Sequence, residues 1–141
     1  MSAPRIDDVQ VAAYTIPTDD EQESDGTLVW DSTTIVVVQI SAGGHTGLGY
    51  PYSDPSCAQV IEGKLAPVVG RADPLAPQQT WARMQVQSRQ LGHDGINAMA
   101  VSAVDIALRD LKARLLEQPL ALILPRFRDS VPIYGSGASP A

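Results

Sequence analysis

The sequence is poor in the residues that usually carry chemistry. It holds one cysteine, Cys57, so no disulfide can close within the chain. A reducing, intracellular setting is therefore the simpler expectation. Its two histidines, His45 and His93, each sit beside a glycine in a turn-like stretch, and neither has a partner at metal-ligand spacing. No Gly-rich phosphate loop, G-x-S-x-G elbow or H-E-x-x-H motif occurs. Lysine and arginine never cluster, and 10 basic against 16 acidic residues leave a net charge of −6. That balance argues against a nucleic-acid or anionic-membrane surface. The opening residues, MSAPRIDDVQ, lack the apolar core of a signal peptide, and no apolar run approaches a membrane span. The expectation is a cytoplasmic protein that engages neither nucleic acid nor membrane.

What is present suits a folded domain. With 44% hydrophobic and 18% charged residues over 141 positions, the chain can bury a core and does not read as disordered. The strongest pattern runs from Asn97 to Leu120. Met99, Ala100, Ala103, Val104, Ala107, Leu108, Leu111 and Leu115 recur at the spacing of one helix face. Ala100, Ala103 and Ala107 make a line along which another element can approach the backbone closely. Asp105 and Asp110 fall off that face, where pairing with Arg109 or Arg114 is favoured over metal binding.

Ahead of that helix, three stretches read as strands: Ile6 to Tyr14, Ser32 to Ser41 and Thr46 to Tyr50. The middle strand is apolar on both faces and asks for cover on both. Gly47 and Gly49 in the third admit a close neighbour or a bulge. Between the first two strands lies a long loop with five acids, from Asp19 to Asp25, closed by Gly26. A second loop, Pro51 to Asp54, leads into a helix opened by Pro55 with Ser53 or Asp54 as cap. A further helical region follows Asp73-Pro74, with Trp81, Met84 and Leu91 as its apolar residues, and ends at Gly92-His93-Asp94-Gly95. Val131 to Tyr134 reads as one more short strand. The fold class is α+β: a three-stranded antiparallel meander, then three helices, then a short strand.

AMAVSAVDIALRDLKARLLEQPL, together with GLGYPY, LAPVVGRADP, GINAMA and FRDSVPIYGSG, resembles the N-terminal capping domain of the mandelate racemase and muconate lactonizing enzyme group of the enolase superfamily. The signature positions are Ala100, Ser102-Ala103, Val104, Asp105, Ala107-Leu108, Asp110, Leu111, Ala113 and Arg114, then Pro119-Leu120. The chain departs from that pattern at Ile123-Leu124-Pro125, where the group has Leu, an aliphatic residue and Gly. It departs again at Arg109, where tryptophan is common, and at Glu117, near which glycine commonly stops the helix.

The resemblance implies a capping domain over residues 1–120. Residues 121–141 would be a linker and the first strand of a (β/α) barrel that typically needs about 200–250 residues. Members are Mg²⁺-dependent racemases and dehydratases acting on carboxylates, often acid sugars. Their catalytic bases and metal-binding acids lie on the barrel. For this chain the resemblance therefore implies no catalytic and no metal-binding residue, with Mg²⁺ and substrate entering only in a full-length context. It also implies two substrate-facing loops, Thr18 to Trp30 and Tyr50 to Asp54, with Asp25, Trp30, Tyr50 and Tyr52 as the residues that face substrate. Partners could be a barrel-bearing chain or a second copy. A separated cap inactive alone, an interaction or dimerisation module, and a truncated remnant are the three functional expectations.

Overall fold

The computed structural model describes residues 4–18, 23–24 and 26–135. Three strands form the main sheet: β1 (Ile6–Pro17), β4 (Ser32–Ala42) and β5 (His45–Gly49), in the order β1-β4-β5 and antiparallel throughout. The expected meander is thus present, with β1 three residues longer than its alternation suggested. Asp7 makes a bulge near the start of β1 and accepts the Gly43 N–H at 3.1 Å. β4 and β5 are joined by Gly43-Gly44, both at positive φ, the tight turn whose twist matches a hairpin.

The described part of the long loop after β1 carries backbone pairing. The Thr18 N–H bonds the Asp31 carbonyl at 2.8 Å, and β2 (Glu23–Ser24) pairs with β3 (Val29–Trp30). Register alone, with Glu23 opposite Trp30, makes part of this segment a small β-ribbon.

A single helical layer covers one face of the sheet. α1 (Ser56–Val60) runs through a wide turn, Ile61–Leu65, into α2 (Ala66–Val69). Cys57, Ile61, Leu65 and Val69 are all buried. A four-residue spacing drifts around a regular 3.6-residue helix, and the wide turn takes up that drift. α3 (Pro77–Ser88) turns Thr80, Met84 and Ser88 inward. The buried Ser88 hydroxyl donates to its own helix at the Met84 carbonyl, 2.8 Å away, so its polarity is satisfied locally. Trp81 and Leu91, expected as apolar anchors, stand nearly half exposed instead, because the inward face of α3 is set by Thr80 and Ser88.

α4 (Ile96–Leu115) lies against the sheet, with Ala100, Ala103, Val104, Ala107, Leu108 and Leu111 buried on Val36, Val38 and Ile40. Met99 falls outside this face. The approach to β5 is very close. A Cβ built on Gly47 would lie 2.6 Å from Leu111 Cβ and against the Ala107 carbonyl. One on Gly49 would lie 2.7 Å from the Ala107 nitrogen and against the Ala103 carbonyl. Glycine on the strand and alanine on the helix are both needed at such separations.

α4 ends at Leu115, the last residue of its apolar period, and so stops short of Leu120, where the expected helical stretch ended. Glu117 takes φ +51°, and the Gln118 and Glu117 N–H groups bond the Ala113 and Arg114 carbonyls, each at 3.0 Å. This closing motif prefers glycine at the residue that Glu117 occupies. A separate turn, α5 (Leu120–Ile123), follows and stops at Leu124, which is extended before Pro125. Val131–Tyr134, expected as a strand, is paired to nothing among the described residues, and Ile133 is 92% exposed. A strand needs a ladder, and Val131–Tyr134 forms none among the described residues. No helix among the described residues is long and apolar enough to cross a membrane.

Gly47→Ala or Gly49→Ala should destabilise the domain by about 3 kcal/mol or more, since backbone on both sides must part. Urea unfolding reads this, and a loss within experimental error would refute the close packing. Glu117→Gly should raise stability by about 1 kcal/mol by relieving the left-handed residue. An unchanged or lower midpoint would count against that account.

Candidate functional site

β4 carries both loops at one end. β1 reaches that end through Pro17 opposite Ser32, and the first loop springs from there. On the other flank the chain after β5 stays paired to β4: the Val36 N–H bonds the Pro51 carbonyl at 3.0 Å, and the Ser53 N–H bonds the Thr34 carbonyl at 3.1 Å. Tyr52 is thereby set opposite Ile35. The second loop is a continuation of the sheet, held by backbone hydrogen bonds rather than by its side chains.

Alternation along the strands then fixes which way the side chains face. Val36 and Val38 point to the helices, so Ile35 and Val37 point away from them. Ile35 has Tyr14 opposite it on one side and Tyr52 on the other. The rings of Tyr50 and Tyr52 meet edge to face, with centroids 6.2 Å apart. Both are exposed, Tyr50 at 49% and Tyr52 at 66%. Beside them, Gln10, Ala12, Tyr14, Val37 and Gln39 line a shallow hollow of about 190 Å³. The face of the sheet opposite the helices is therefore a tyrosine and aliphatic wall, not a second covered layer.

Of the residues expected to face substrate, Tyr50 and Tyr52 come together on this wall. Trp30 lies on β3, half-buried and opposite Glu23, in the ribbon that leaves the same end of the sheet. Asp25 lies outside the described residues. Tyr14 was not expected here. Its parity in β1, opposite to Val9 and Val11, carried the signal, but only the β4 register shows which tyrosine it joins.

Asp54 anchors the far end of the second loop. Its carboxylate accepts the Ser56 N–H at 2.8 Å, and its carbonyl accepts the Cys57 N–H at 2.9 Å. The Ser56 hydroxyl and then the Ser56 N–H hold this carboxyl below its usual range. Cys57 just behind is fully buried, and burial pushes its thiol up, so it remains a protonated core residue.

The acids of α4 serve structure. Asp105 pairs with Arg109 at 2.7 Å and Asp110 with Arg114 at 2.9 Å. Asp110 also accepts the Leu48 N–H at 2.9 Å, which ties the outer edge of β5 to the helix. The sequence showed the i, i+4 pairs but not this strand contact. Among the described residues no group of three or more His, Cys, Asp or Glu side chains gathers to hold a metal. His93 meets only Gln85, at 3.1 Å, and His45 opens β5. The wall can shield and hydrogen-bond a ligand, and nothing in it pairs a nucleophile with a base.

Comparison with known proteins agrees with this geometry. The mandelate racemase / muconate lactonizing enzyme N-terminal domain matches residues 10–124. The L-talarate/galactarate dehydratase of Salmonella typhimurium is 30% identical over 106 residues, covering 72% of this chain and 27% of its own length. The 3,6-anhydro-alpha-L-galactonate cycloisomerase of Streptomyces coelicolor is 32% identical over 108 residues, covering 73% and 30%. Among solved structures, a mandelate racemase/muconate lactonizing enzyme-like protein from Rubrobacter xylanophilus superposes with a TM-score of 0.83 at 56% identity, over 88% of this chain and 34% of that one. The L-talarate dehydratase from Polaromonas sp. JS666, solved with Mg and L-glucarate, gives 0.74 at 28% identity, over 91% and 37%. The chain thus spans under a third of the curated relatives it matches.

Asp54→Ala should lower the thermal midpoint at neutral pH. Because the folded carboxyl titrates below its unfolded value, its contribution is present above the unfolded value. That contribution fades as pH falls through the folded one. The difference between the two proteins should shrink toward zero in acid. A pH-independent gap would show that the charge does not matter.

Proposed function

Because this chain belongs to the mandelate racemase/muconate lactonizing enzyme N-terminal domain family, we propose that it is the substrate-specificity cap of an acid-sugar dehydratase or racemase. The match over residues 10–124 carries this reading. The placement of both loops at one end of β4 supports it, since a cap that closes over a reaction site needs its closing segments side by side.

In this reading residues 1–120 are the cap, and residues 121–141 lead toward a (β/α) barrel that supplies the chemistry. Trp30, Tyr50 and Tyr52 form part of the mouth, and Asp25 is the acid of the first loop. Tyrosine and tryptophan give a wall with a polar tip, which excludes water from the reacting carbon while hydrogen-bonding a hydroxyl or carboxylate. The substrate is a sugar carboxylate. The metal in this reading is Mg²⁺, which, held by the barrel, would supply positive charge beside the substrate carboxylate. The donors described in this chain do not fit that ion, because no three carboxylate, histidine or thiolate groups converge. In this reading metal and base belong to the barrel, and the cap alone is inactive. The uncovered wall of Tyr14, Leu48, Tyr50 and Tyr52 supports docking against a barrel or a second copy. The compartment that suits this role is the cytoplasm.

Two measurements test the reading. The isolated chain with Mg²⁺ and a panel of sugar acids should show no turnover, and robust activity would sink it. Residues 1–124 should then replace the matching segment of the Salmonella dehydratase. That hybrid should keep Mg²⁺-dependent activity with a changed ranking of sugar acids. Tyr52→Ala in it should raise KM roughly tenfold with a smaller effect on kcat. An unchanged ranking would remove the specificity role.

A further inference from the structure

The helical layer carries a groove that the cap role leaves unused. It lies open to solvent between α2 and α3, with a volume of about 640 Å³, within the size range of small-molecule sites. Pro67 and Val68 from α2 and Ala82 and Val86 from α3 make an apolar floor, and Arg71 and Arg83 border it. The sequence of α3 explains the arrangement. Thr80, Met84 and Ser88 take the inward positions, so Ala82, Arg83 and Val86 fall on the outward side. Val86 is left 61% exposed.

Charge points to the occupant. Arg109, Arg114 and Arg126 each have an aspartate partner. Among the described residues Arg71 and Arg83 stand in no ion pair, although the chain as a whole is acidic, at −6. Two guanidinium groups beside one apolar floor suit a planar anion with a hydrocarbon body. Inorganic phosphate would answer the charge and leave the floor wet. We propose that this groove binds small carboxylates with an apolar body, the carboxylate on Arg71 and Arg83 and the body on Val68, Ala82 and Val86. The site lies on the helices, apart from the two loops, and stands or falls independently of the cap role.

The test uses the whole chain, labelled with ¹⁵N and titrated with hexanoate, hexanamide or inorganic phosphate. Hexanoate should give saturable shifts at the Val68, Ala82 and Val86 amides. Hexanamide should bind roughly tenfold more weakly, and Arg71→Glu or Arg83→Glu should weaken hexanoate by a similar factor. Arg128→Glu, which changes the same charge outside the groove, should leave binding unaltered. Should the reversals disturb folding, the R71Q/R83Q pair carries the same expectation. Shifts that never saturate, equal binding of hexanamide or phosphate, or shifts centred on the Tyr50–Asp54 loop would each overturn the proposal.

Discussion

Strand β5 and helix α4 touch backbone to backbone, and the rest of the domain is arranged by that contact. Gly47 and Gly49 present no side chain to the helix, and Ala103 and Ala107 present almost none to the strand. The two elements close until Leu111 and the Ala103 and Ala107 carbonyls would collide with any added carbon. Asp110 then bonds the Leu48 N–H, so the free edge of β5 is tied to the same helix. Dispersion gains rise steeply at such separations, and they are lost quickly if the surfaces part. The contact fixes the height and direction of β5, and hence where the chain goes next.

That chain is the Tyr50–Asp54 loop. It stays in register with β4 through Pro51 and Ser53, and it enters α1 through the Asp54 carboxylate. The loop is held at both ends by hydrogen bonds that do not depend on its tyrosines, and Tyr50 and Tyr52 stay exposed. The ribbon of β2 and β3 rises from the same end of β4, closed at its base by Thr18 and Asp31. The sheet thus carries two connecting segments side by side at one end, outside the core.

Polar residues hold this frame where the apolar core thins. Thr80 and Ser88 on α3 sit in the interior, and the Ser88 hydroxyl turns back to its own helix. Glu117 accepts a strained backbone so that α4 can stop and α5 can begin. Both choices trade a little stability for a defined path.

The sequence by itself determined the α+β class, the three strands, and the helix with its alanine stripe. Local alternation and helical period carry that information without reference to partners. It also marked Gly47 and Gly49 as places for a close neighbour or a bulge, and it showed the i, i+4 pairs of α4. Tertiary structure alone decided which element fills that space, because a stripe of alanines names no partner. It alone set Tyr14 and Tyr52 on either side of Ile35, since register joins residues far apart in the chain. The inward turn of Thr80 and Ser88, the outward placement of Trp81, and the left-handed Glu117 were likewise invisible to a hydropathy pattern. In each case packing and hydrogen bonding outweighed the preference of the single residue.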